Sequence, residues 1–94
     1  MNEMSKLIAL LESAHIPYET RPHWFDTIQI GYPNFKNTVC DVVCFRGSYG
    51  YEQGLLEIMG LVDEEEVGDT VEGYLTATEV FQRIYNDYRE RYRW

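Results

Sequence analysis

Nine consecutive residues, Arg46-Gly47-Ser48-Tyr49-Gly50-Tyr51-Glu52-Gln53-Gly54, gather side chains that could hold a small ligand. Arg46 and the Ser48 hydroxyl could meet a phosphate, amides near the glycines could cradle it, and the faces of Tyr49 and Tyr51 could stack a base. The spacing matches no phosphate-binding signature. It is neither G-x-G-x-x-G nor a Walker loop, and Ser48 directly follows Gly47, which excludes the G-x-S-x-G nucleophile elbow. Gly47 to Gly50 is formally the G-x-x-G of KH domains, but a strand precedes it and acids follow it. Two plainer readings stand beside the ligand site. The segment can be a long hairpin loop whose glycines permit positive φ, or a protein contact anchored by its tyrosines.

Charge gives the strongest quantitative signal. The 94 residues carry a net charge of −8, and it is segregated: residues 1 to 82 hold four bases against fourteen acids, a net of −10, while residues 83 to 94 are at +2. Between Arg46 and Arg83 there are nine acids and no base. Crowding like charges costs stability, for which solubility is one reason and docking on a basic partner is another. In the docking reading Glu57, Asp63, Glu64, Glu65, Glu66, Asp69 and Glu72 form the contact surface, and their carboxylates stand in for phosphates on a protein that normally holds nucleic acid. The 63 to 66 run lacks the alternating ligand spacing of a calcium loop, so no metal and no cofactor is expected.

Other reactive side chains do not assemble into a site. His15 and His23 have no cysteine or second histidine at metal-ligand spacing. Asp26 and Asp41 could face each other on neighbouring strands as an acid and base pair, if the register allowed it. Cys40 and Cys44 share a strand face about 13 Å apart at ~3.3 Å per residue, beyond the ~7 Å Cα reach of a disulfide. They read as buried thiols. No nucleophile, base and orienting group can be placed together, so the chain reads as a non-enzyme. Arg89, Arg91 and Arg93 interleave with Tyr88, Tyr92 and Trp94, which suits a helix C-terminus or a small basic and aromatic patch. A basic face over the domain is missing, which argues against direct duplex DNA binding.

The elements that position these residues read as α-β-β-β-β-α. Asn2 caps a first helix with Met4, Leu7, Ile8, Leu11 and Ala14 on one face, ending before Pro17. Strands are expected at Ile16 to Arg21, Trp24 to Tyr32, Thr38 to Phe45 and Leu55 to Leu61, the third interior because it is apolar on both faces. A capping box over Thr76 and Glu79, with Leu75 stapled to Val80, opens a last helix lined by Phe81, Ile84, Tyr85, Tyr88 and Tyr92. Short connections predict an α+β fold: a four-stranded antiparallel meander with both helices on one face. Its other face is left partly open, a possible route to a homodimer.

Size and composition fit this reading. Ninety-four residues make one small domain, and 45% hydrophobic with 15% aromatic residues exclude a disordered chain. No signal-peptide pattern opens the sequence and no apolar stretch approaches the ~20 residues of a membrane span, so a cytoplasmic protein without membrane contact is expected.

The segments GSYGYEQGLLEIMGL and GYLTATEVFQRI resemble small uncharacterised proteins encoded by prophages and mobile elements of Firmicute-type gut bacteria. The resemblance covers most of residues 4 to 88 and carries over no activity, cofactor or catalytic residue. It implies a setting in which small acidic proteins bind and block host factors, including defence proteins. The expectation is a binding protein that modulates a host protein through an acidic surface, with nucleotide binding by the Arg46 to Gly54 loop as the alternative.

Overall fold

A computed structural model describes residues 2 to 62 and 70 to 92. Helix α1 (Glu3–Ser13) is followed by strands β1 (Glu19–His23), β2 (Thr27–Tyr32), β3 (Cys40–Val43), β4 (Leu56–Met59) and β5 (Val71–Leu75), then helix α2 (Ala77–Arg91). The strands form one antiparallel sheet in sequence order, β1-β2-β3-β4-β5. Both helices pack on one face. Leu7 and Leu11 from α1 and Val80 and Ile84 from α2 meet Ile30, Tyr32, Val42, Leu56 and Ile58 from the sheet, all almost wholly buried. No helix among the described residues is long and apolar enough to cross a membrane.

The helix ends follow local chemistry. The Asn2 side chain accepts from the Ser5 amide at 2.8 Å, filling one of the orphan donors of the first turn. At the other end His15 turns left-handed, at φ 56°. Its amide bonds the Glu12 carbonyl while the Ile16 amide reaches back to Leu11, the paired closure of a Schellman motif with histidine where glycine is usual. Helix α2 opens on the expected capping box, with the Thr76 hydroxyl and the Glu79 carboxylate each accepting the other's amide.

The sheet has five strands, not four. Val71–Leu75 lies in the acidic half, where Gly73 interrupts the apolar pattern. Its pairing with β4 also shifts between Leu56 and Ile58. This bulge breaks the period of two: Glu72 and Leu75, three residues apart, both lie on the helix side. The strand expected from Trp24 begins only at Thr27, and β1 sits later than Ile16 to Arg21, at Glu19–His23, on the sheet edge. Asp63, Glu64, Glu65, Glu66, Asp69, Arg93 and Trp94 lie outside the described residues.

Candidate functional site

Antiparallel order places the β1–β2 turn and the β3–β4 loop at the same end of the sheet, together with the start of each helix. The turn is built on an uncommon backbone. Phe25 and Asp26 both have φ 58°, the central pair of positive angles that a type I′ turn requires and that asparagine and glycine normally supply. The Thr27 amide and hydroxyl close the turn on the Trp24 carbonyl. Trp24 and Phe25 are left 68% and 64% exposed.

The β3–β4 loop is held largely by itself. The Ser48 hydroxyl donates to the Phe45 carbonyl at 2.8 Å and accepts from the Phe45 amide at 3.0 Å, and its side chain is buried. Amides of Ser48, Tyr51, Gln53, Gly54 and Leu55 bond carbonyls within the loop, and the Tyr49 amide donates to Glu57 at 2.5 Å. Gly50 and Gly54 take positive φ at the two ends of a short helical turn over Tyr51–Gln53. The loop leans on β5: the Tyr74 amide bonds the Tyr49 carbonyl, and a side chain on Gly73 would run into Tyr49.

Arg46, Ser48, Tyr49 and Tyr51 do share one depression of about 310 Å³ with Tyr74. Its phosphate-holding groups are largely spent, because Ser48 and most of the loop amides already have partners. Arg46 and the two tyrosines remain exposed.

Of the acidic set, Glu57 and Glu72 are described, and they lie on opposite faces. Glu57 alternates with buried Leu56 and Ile58, so it points to the open face. Glu72 turns to the helices and takes both guanidinium nitrogens of Arg83, at 2.8 and 2.9 Å.

The open face carries a polar chain that sequence reasoning found only in part. Arg21 Nε donates to Gln29 Oε1 at 2.8 Å, and Gln29 Nε2 donates to Asp41 Oδ2 at 3.1 Å. Burial pushes the Asp41 carboxyl above its ordinary pKa, against the opposing pull of the Gln29 hydrogen bond and the Arg21 and His23 charges. Phe35 folds back over Gly31, where an added Cβ would come within 2.6 Å of the ring, and the Arg21 guanidinium lies 4.0 Å from that ring's centre. His23 packs edge-on against Phe45 at 4.7 Å, and its Nδ1 has no hydrogen-bond partner among the described residues. Asp26 sits in the turn, away from the Asp41 row, so those two acids do not form a pair. The signal for this chain was two polar residues, Gln29 and Asp41, on otherwise apolar strands.

Cys40 is buried and its thiol is pushed up to about 12, chiefly by burial. Burial raises Cys44 as well. Neither thiol has the electropositive setting that makes a nucleophile. Among the described residues no three His, Cys, Asp or Glu side chains converge as a metal site. Comparison with protein-family models, curated proteins and solved structures finds no match for the chain, so its function has to be read from this geometry alone.

Proposed function

We propose that the protein is a non-enzymatic binding protein that engages a basic protein partner by charge. The observation that carries this reading is the excess of acids over bases, sixteen against eight. Lys6 is paired with Glu3 at 2.9 Å, Arg83 with Glu72 and Arg91 with Asp87, one carboxylate for each base, while Arg21 is tied to Gln29 and Phe35. The net charge of −8 that remains is a field that speeds encounter with cationic surfaces.

The resemblance to mobile-element proteins points to a host protein, one that binds nucleic acid or serves in defence, whose phosphate-binding groove carboxylates could occupy. The nucleotide-binding alternative is the weaker reading, because Ser48 and most of the loop amides are already spent.

Native mass spectrometry of the full chain recovered from its producing cells, at low and at high salt, tests the proposal. A protein complex that dissociates steeply as salt rises is expected. Recovery of the chain alone, or a complex indifferent to salt, overturns it.

A further inference from the structure

Among the described residues, six of the nine exposed large hydrophobic side chains stand at one end of the sheet: Trp24, Phe25, Ile28, Tyr49, Tyr51 and Tyr74. Single exposed apolar residues need no explanation, but a gathering at one end does. The backbone beneath them is costly too. Phe25, Asp26 and Tyr74 take φ 58°, 58° and 61°, a region that strains a bulky residue and that glycine would occupy freely. The chain thus gives up stability at three positions while keeping aromatic rings in water.

Next to the turn, Met4, Ile8, Ile28, Cys44 and Tyr51 line a largely apolar groove of about 360 Å³ between the start of α1 and the loop. Asp26 and Glu3 line the groove, Glu3 paired with Lys6. Glu52 stands on the loop, Glu57 lies on the other sheet face and holds the Tyr49 amide, and Lys6 and Arg46 are the opposing charges. Aromatic faces attract cations, and carboxylates complete their recognition. The same carboxylates repel phosphate, which disfavours a nucleic acid here.

We infer that this end is a protein-docking surface for a segment of a partner that places an apolar side chain in the groove between flanking lysines or arginines. Trp24 and Phe25 are its anchors, in the manner of aromatic hot spots. The inference rests on the reading of a basic partner and names the surface that meets it.

The test titrates the isotope-labelled full chain with three short synthetic peptides, in which a leucine is flanked by lysines, by glutamates or by serines, and follows the amide and indole resonances. The lysine peptide is expected to shift Trp24, Phe25, Ile28 and Tyr51. Trp24→Ala and Phe25→Asn are each expected to weaken it about thirtyfold, roughly the loss of one hot-spot contact, without lowering the melting temperature.

If the lysine peptide binds but shifts residues elsewhere, this surface is wrong and the acidic reading stands. Equal binding of the glutamate peptide, or unchanged affinity in both variants, also overturns the surface. Concentration-dependent shifts of the same residues in the chain alone would assign the surface to a second copy instead. If the lysine peptide shifts nothing, the surface and the charge reading fall together.

Discussion

The hydroxyl of Tyr32, the last residue of β2, donates a 2.7 Å hydrogen bond to the carboxylate of Asp87 on α2, 55 residues further along the chain. Asp87 also takes both donors of an Arg91 fork at 3.0 Å. Burial alone would raise the Asp87 carboxyl, but the hydrogen bonds from Arg91 and Tyr32 and the Arg91 charge outweigh it, and the group is held below its ordinary value. Tyr32 is raised by burial and by Asp87. This polar tie, with the Arg83 to Glu72 pair nearer the start of α2, fixes the helix on the sheet at two points of an otherwise apolar contact.

Because the folded pKa of Asp87 is depressed, its contribution to stability is complete above the unfolded pKa and is lost as pH falls through the folded value. Asp87→Asn should therefore lower the urea midpoint at pH 7 and lose less stability on acidification than the parent. Tyr32→Phe, which leaves the carboxylate short of one donor, should cost about 1 to 3 kcal/mol.

Asp41 behaves in the opposite sense. Its folded pKa is raised, so its contribution is favourable below the unfolded pKa and is lost as pH rises through the folded one. Asp41→Asn keeps an acceptor for Gln29 and should raise the melting temperature at pH 7. The gain should shrink towards zero in acid, as thermal unfolding at pH 7 and pH 3 would report.

The β1–β2 turn should respond to residues that suit its backbone. Replacing Phe25 with Asn and Asp26 with Gly together should stabilise the protein by about 1 to 2 kcal/mol, since both φ angles become easy. Chemical denaturation measures this, and an unchanged or lower midpoint would contradict the strain assigned to the turn.

Removing the Thr76 cap tests the most legible element. Thr76→Ala leaves the Glu79 amide without its side-chain acceptor and should cost about 0.5 to 2 kcal/mol, read as a fall in the urea midpoint.

Legibility in the sequence followed how locally each feature was determined. The Thr76 and Glu79 box and the Asn2 cap depend on neighbours three residues away, and both form as read. The β1–β2 turn was hidden because it uses Phe25 and Asp26 where turn chemistry favours asparagine and glycine, so the alternation beginning at Trp24 read as strand. Strand β5 was hidden by its bulge, which puts Glu72 and Leu75 on one side. At the candidate site the tyrosines of the loop were visible. The commitment of Ser48 to Phe45 was not, nor was the joining of Tyr49 to Tyr74, because both depend on how the loop closes. Asp41 stood out as polar in an apolar strand, yet its partner proved to be Gln29, a matter of register rather than composition.

The Glu3 carboxylate accepts from the Ala77 amide at 2.9 Å, so the first helix caps the last. Each strand of the meander meets a neighbour close in sequence, whereas α1 gains its helix partner only once residues beyond 77 exist. The two helices thus close on each other across 74 residues of chain, and Leu7 and Leu11 are covered jointly by the sheet and by α2. Loosening α2 would uncover α1 as well, so the two helices should lose their protection from hydrogen exchange together.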